Sequence, residues 1–431
     1  MENFSKLPLP CTSAKDVGFS QQRLDGLSAM MDSAVAEGSI PGATTIVARE
    51  GKIVYARATG YSDMEKKTPL SEDSLFRMYS QTKPVIAALT MRLYEKGSLL
   101  LDSAISEFLP EFSDLKVRLP DNSAADLVRG AIAGVPQEVA FREITVRDLL
   151  TMTSGLSTSP QDVSADQIYP LGKIWSATGF YPPEMFPREP HASFHDSVLA
   201  IAALPLASHP GRKWRYGSDY DVLTLLLERI TGSSIDELLK QELLAPLGME
   251  STSFYCSESN VDDLTSEHAW GPEGDLIVAT PPQSAEKASF PEQKRMSGNG
   301  IYGGLLSTAG DYLKFAQMLL DNGIWEDQQI LGRKTVELMS ADHIPNDEVN
   351  LYRTPGYGFG FGVSVRRTLA GAHTPGSIGE FGWGGAGGTS FMVDPKEKLV
   401  TLFFTHVFGY QFHPLADLYE QFQSRVYQAM L

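Results

Sequence analysis

Runs of β-branched residues stand at the two ends of this chain, and helix-patterned segments fill its middle. Near the start, GATTIVARE and KIVYARATG meet at Glu50–Gly51 and read as a hairpin. Near the end, TSFMVDP and KLVTLFFTH flank an Asp394–Pro395 turn, and Leu415 to Met430 reads as a closing helix. Between them PVIAALTMRLYEKGSLL, ITVRDLLTMTSGL, YDVLTLLLERITG and SIDELLKQELLAPLG carry the apolar period of helices. A further helix is expected from Ser20 to Glu37, with Gly38 as its C-cap. This distribution predicts one sheet assembled from both termini with a helical lobe inserted. The expected division is a sheet domain of residues 1–79 and 260–431 and a mainly helical domain of residues 80–259.

Composition bears on partners more than on fold. With 431 residues, 42% of them hydrophobic and 21% charged, the chain is globular and long enough for a sizeable core. It carries 36 basic against 53 acidic residues, a net charge of −17. That balance argues against nucleic acid or an anionic membrane as partner, because either requires a basic face. Cys11 and Cys256 are the only cysteines, too few for a disulfide framework or a four-cysteine zinc site. The start, MENFSKLPLPCTSAKDVGF, lacks a basic stretch followed by an apolar one, so no signal peptide is expected. The apolar run Leu399 to Phe404 is strand-length and far short of a membrane span. A cytoplasmic, soluble protein without a membrane partner is the expectation.

Residues 117–143 and 158–196 fit neither lobe and are long for loops, a length often tied to function. The second holds Tyr169, Trp175, Phe180, Tyr181 and Phe186, which either pin the loop to the surface or wall a substrate cleft.

Most common catalytic motifs are absent. There is no HExxH, no GxxxxGK[ST] and no G-x-S-x-G elbow. GxGxxG occurs at Gly298–Gly303 and Gly382–Gly387, but the first does not follow a strand and the second leads into a strand instead of a helix. Of the eight histidines only His191 and His195 are close, without an evident third ligand, so neither metal nor cofactor is expected.

Ser-x-x-Lys remains, at Ser80–Lys83, Ser113–Lys116 and Ser284–Lys287. Only Ser80 lies immediately before a strong helix, TKPVIAALTMRLYEKG, with Pro84 in the first turn where proline is tolerated. A helix N-terminus offers unpaired N–H groups and partial positive charge, which stabilise an oxyanion. Ser80 and Lys83 share one helix face, so the amine can approach the hydroxyl. A lysine of ordinary pKa, ~10.4, cannot accept a proton at pH 7; bringing it to ~7–8 requires about 3–4 kcal/mol of desolvation or like-charge repulsion, which a buried cleft supplies. Otherwise Ser80 would simply cap its helix.

Two further segments weigh against simple capping. Tyr216-Gly217-Ser218 lies on a loop just before a helix, where a tyrosine hydroxyl could shuttle a proton; Tyr255–Ser257 has the same letters in a polar turn. The glycine-dense stretch Trp383 to Gly388 adjoins a strand, and glycine there lets backbone N–H groups approach a ligand closely.

These three motifs, in this order, resemble those of the penicillin-recognising serine hydrolases, and the resemblance covers nearly the whole chain. YSQTKPVIAALTMRLYEKGSLLLDSAISEFLPEF, REITVRDLLTMTSGL, GGLLSTAGDYLKFAQMLL and WGGAGGTSFMVDP are similar to its class C β-lactamase-like branch, and within it to family VIII carboxylesterases and related transesterases. The resemblance implies a mixed α/β (α+β) fold of the β-lactamase/transpeptidase type: an antiparallel sheet flanked by helices plus an inserted all-helical lobe. It also implies Ser80 as nucleophile, Lys83 as its activating lysine and Tyr216 as general base and acid. The N–H groups of Ser80 and Ala386 would form the oxyanion hole, with Trp383, Gly384, Gly385 and Ser218 binding substrate. Trp383-Gly384-Gly385 falls where β-lactamases have Lys-Thr-Gly, and it is preferred over His373-Thr374-Pro375-Gly376 for that place. Losing that lysine removes a cation that would anchor a substrate carboxylate, a pattern that fits esterases better than β-lactamases. The implied function is hydrolysis of small-molecule carboxylic esters through an acyl-enzyme. An acyltransferase using the same site, a weak β-lactamase or D-amino-acid peptidase, and a catalytically silent scaffold are the alternatives.

Overall fold

The computed structural model describes residues 4, 6–118, 137–156, 194–203, 205–256, 259–271, 273–280, 304–345, 356–410 and 417–431. The aromatic run Tyr169 to Phe186, His191, Ser284–Lys287 and the Gly298–Gly303 motif lie outside these residues.

Eight strands form one antiparallel sheet. They are β1 (Gly42–Arg49), β2 (Lys52–Asp63), β3 (Thr68–Pro69), β5 (Tyr357–Phe359), β6 (Ser364–Arg366), β7 (Phe381–Gly384), β8 (Thr389–Asp394) and β9 (Leu399–Phe404); a separate strand, β4, spans Glu267–Trp270. The order across the sheet is β5-β6-β7-β8-β9-β1-β2-β3. Strands from the two ends of the chain therefore meet at its centre, where β1 pairs with β9 from Thr44↔Phe404 to Arg49↔Leu399.

Local chemistry sets the turns. Arg49 pairs with Lys52, leaving Glu50 and Gly51 as a two-residue loop with φ of 53° and 70°. Two positive φ values match the right-handed twist of the flanking strands, and glycine adopts the second without strain. Between β8 and β9 the Asp394 carboxylate accepts the Lys396 and Glu397 N–H groups at 3.0 and 3.2 Å, which fixes that turn as an Asx type.

Helices cover both faces, so the central strands are buried on each side. Val400, Leu402 and Phe404 point into the larger core cluster, and Leu399 and Phe403 into the smaller one. The smaller layer is built by α1 (Gln21–Ala36) and α6 (Leu418–Ala429), whose Leu24, Leu27, Met31, Phe422 and Val426 recur at helical spacing. The larger layer holds α2 (Thr82–Glu95), α3 (Val146–Leu150), α4 (Asp219–Thr231) and α5 (Ala309–Leu320). α5 packs on β8 and β9, and α2 packs against α4. Burial on two faces explains why β1 and β9 read as continuous apolar runs without alternation.

The ends of the 117–143 stretch form a short ribbon, Lys116–Arg118 paired with Gln137–Val139. Among the described residues no helix is long and apolar enough to cross a membrane. Both cysteines are free, Cys11 exposed and Cys256 buried.

Candidate active site

The chain reaches Ser80 through one tight turn. Residues Tyr79–Gln81 form a single 3-10 turn that runs straight into α2. Tyr79 has a φ of 46°, the left-handed region that bulky residues avoid, so the chain bends sharply just before Ser80. The Ser80 side chain caps nothing: α2 has no side-chain cap bond, and Ser80 Oγ shares a hydrogen bond with the Tyr216 hydroxyl.

Lys83 lies one turn into α2 and is fully buried. Its Nζ donates to the Tyr216 hydroxyl at 2.6 Å and lies 4.7 Å from the centre of that ring. Tyr216 thus stands between serine and lysine, with its hydroxyl bonded to both. Burial lowers the Lys83 pKa to about 7, against the opposing pull of Asp221 and, once it is ionised, of Asp219.

The loop carrying Tyr216 is laid along the end of α3 and the residues after it. The N–H groups of Gly211, Arg215 and Ser218 donate to the carbonyls of Thr153, Met152 and Leu156 at 2.7, 2.9 and 3.2 Å. Ser218 is buried at the start of α4. Next to it, Asp219 accepts the Ser154 hydroxyl at 2.5 Å, and burial pushes the Asp219 pKa up to about 8. At neutral pH this carboxyl keeps its proton.

From the other side, β7 carries Trp383, whose indole stacks on the Tyr216 ring at 6.3 Å and 20°. Phe359 on β5 meets Trp383 edge-on at 5.2 Å, and Trp214 lies 5.5 Å from Phe359 and 6.5 Å from Tyr216. Tyr216, Trp383, Phe359 and Trp214 therefore form one cluster of aromatic rings. Beyond β7, Gly385 approaches the Ser80 segment so closely that a Cβ there would sit 2.2 Å from the Met78 carbonyl oxygen. This approach brings the turn bearing Ala386 against the residues leading into Ser80. The Gly385 N–H donates to Thr389 and the Gly388 N–H to Gly385, while the Ala386 carbonyl accepts from Gly409.

The sequence alternatives fall elsewhere. His373–Gly376 lies in the β6–β7 loop, where Arg366 donates to the Thr374 carbonyl and hydroxyl at 2.8 and 2.9 Å. Ser113 donates to the Pro110 carbonyl within a surface turn, and the Tyr255 hydroxyl donates to Asp236. His195 pairs with Glu228. Among the described residues no three His, Cys, Asp or Glu side chains gather as metal ligands would. Trp214, Phe359, Ser154 and Asp219 were not anticipated. Only Trp214 carried a signal, lying two residues before Tyr216 in an extended segment, where alternate side chains share a side.

The sequence model of the Beta-lactamase family matches residues 27–423. The chain belongs to the Beta-lactamase family. Among similar members, Protein Rv1367c of Mycobacterium tuberculosis is 31% identical over 409 residues, covering 88% of this chain and 89% of that protein. Esterase EstB of Burkholderia gladioli is 29% identical over 416 residues, covering 92% and 93%. The solved structure of EstCE1, described as a hydrolase with promiscuous acyltransferase activity, superposes with a TM-score of 0.70 at 27% identity, covering 94% of this chain and 99% of that one. The family fold, an antiparallel sheet with flanking helices, is the fold of this chain.

Proposed function

We propose that this protein is a serine hydrolase that cleaves small-molecule carboxylic esters through an acyl-enzyme on Ser80. The observation that carries the reading is the buried relay in which the Tyr216 hydroxyl is bonded to both Ser80 Oγ and Lys83 Nζ. Near neutral pH a large fraction of Lys83 is uncharged and able to hold a proton. Ser80 Oγ attacks the ester carbonyl carbon, and its proton passes to the Tyr216–Lys83 pair. The carbonyl oxygen gains the negative charge, and the N–H groups of Ser80 and Ala386 stabilise it. When the C–O bond to the alcohol breaks, the pair returns the proton to the leaving alkoxide. Water then attacks the acyl-Ser80 ester by the same steps in reverse and frees the acid.

The aromatic wall of Trp214, Phe359 and Trp383 supports apolar acyl or alkoxy groups as substrate. Trp383 presents an indole where a β-lactamase would present a lysine, which supports neutral esters over carboxylate-bearing β-lactams. Ser218 and the Gly384–Gly385 backbone complete the binding side of this reading.

A p-nitrophenyl phosphonate should add one equivalent to Ser80, seen by intact mass. Ser80→Ala should lose the adduct and reduce turnover of p-nitrophenyl butyrate by about 10⁴-fold or more. Full activity in that variant would exclude the mechanism. Acyl transfer uses the same residues and differs only in the acceptor, and similarity to EstCE1 favours it as a second activity. Added short-chain alcohol should then divert acyl groups from free acid to new ester; an unchanged product ratio would leave hydrolysis alone.

A further inference from the structure

We propose that Glu267 is a positioning residue that acts through Tyr79 to hold both N–H groups of the oxyanion hole. The inference rests on the acyl-enzyme reading above.

Tyr79 is the residue before Ser80, and its ring is buried. Its φ of 46° is a conformation that an aromatic residue keeps only when its surroundings impose it. Three contacts impose it. The Tyr79 hydroxyl donates to the Glu267 carboxylate at the start of β4. Its ring packs against Phe408 with centroids 5.7 Å apart. The ring also lies against Gly387, where a Cβ would come within 3.2 Å of Tyr79 Cδ2 and Cε2.

Gly387 directly follows Ala386. A single side chain therefore touches the turn that carries one oxyanion N–H, while its own backbone leads into the other. Gly304 packs the same bend from behind, since a Cβ there would stand 2.7 Å from the Tyr79 carbonyl oxygen. The Tyr79 hydroxyl is a polar side-chain anchor of this arrangement, and Glu267 holds it. Glu267 is itself buried on a strand fixed by backbone bonds, His268 N–H to His406 at 2.9 Å and Phe408 N–H to His268 at 2.7 Å. Glu267, Phe408 and Tyr79 thus form one rigid support under Ser80 and Ala386.

The test compares Tyr79→Phe, Glu267→Ala, Glu267→Gln and the double variant Tyr79→Phe/Glu267→Ala with the wild type. The readouts are the rate of Ser80 phosphonylation by a p-nitrophenyl phosphonate, and kcat and KM on p-nitrophenyl butyrate. Tyr79→Phe and Glu267→Ala should each slow acylation and lower kcat by about 10- to 100-fold with KM little changed. The double variant should be no slower than the worse single one, since both remove the same contact. Glu267→Gln should recover most of the rate, because its amide oxygen still accepts from the tyrosine hydroxyl. If Glu267→Ala does not fold, Tyr79→Phe and Glu267→Gln decide alone. Wild-type rates in Tyr79→Phe, or independent multiplying effects in the double variant, would overturn the inference while a labelled wild type left the hydrolase reading standing. A wild-type protein that acquires no Ser80 adduct would overturn both.

Discussion

Lys83 depends on its surroundings for its chemistry. Buried among apolar residues, it releases its proton near pH 7, where an exposed lysine would hold it to ~10.4. In the proposed mechanism it accepts a proton uncharged, so activity should rise with pH through about 7 and fall about tenfold per unit well below it. Lys83→Arg should be nearly as inactive as Lys83→Ala at every pH, because a guanidinium does not deprotonate. A pH–rate profile of kcat/KM checks both statements. Two acids on α4 act on Lys83 differently near pH 7. Asp221 raises the Lys83 pKa, so Asp221→Asn should move the acid limb to lower pH. Asp219 keeps its proton below about pH 8 and exerts no charge there, so Asp219→Asn should leave the limb in place. Equal shifts in the two variants would contradict this division. Ser80, Lys83 and Tyr216 could be singled out by spacing, because a turn of helix and a loop before a helix are local features. Asp219 and Ser154 could not, since their pairing depends on a buried contact between segments far apart in the chain.

Elements show the same boundary between local and distant causes. The β1–β2 hairpin and the β8–β9 turn follow from Glu50–Gly51 and Asp394, whose preferences act over two or three residues. The helix at Thr82–Glu95 follows from its apolar period, and Gly97, with φ 74°, ends it. The edge strand β5 and its neighbour β6 are three residues each, too short for an alternating pattern, and exist through pairing with β7 and each other. The glycines after Trp383 signalled a close approach, but what they approach was set by the sheet. At Gly385 it is the Met78 carbonyl, 2.2 Å from where a Cβ would be. Gly385→Ala should therefore push the Ala386 turn away from Ser80. We expect a loss of about 1–3 kcal/mol in thermal unfolding and a larger loss in kcat than in substrate affinity. Unchanged stability and kcat would mean the two segments separate freely.

At the scale of the molecule, a sheet assembled from both termini is what the strand order displays, with β1 beside β9 at its centre. One hydrophobic cluster runs from Ile46 on the sheet through α2 and α4 to Phe404, so the helical layer and the sheet share a core. We propose that residues 80–259 nevertheless form a lobe distinct from residues 1–79 and 260–431. Limited proteolysis should then release a stable helical fragment, and uniform digestion without one would remove the division. Ser80 and Lys83 come from the chain's first quarter, Tyr216 from its middle and Trp383 from near its end. By itself the sequence pointed to several helices, the terminal strands and the candidate trio Ser80, Lys83 and Tyr216, because residue preferences and short spacings act through neighbours along the chain. Tertiary structure alone decided the lysine's acidity, the stack of Trp383 on Tyr216, the approach of Ala386 and the support of Tyr79 by Glu267. Each of these depends on burial and on contact between distant segments, which exist only once the chain has packed.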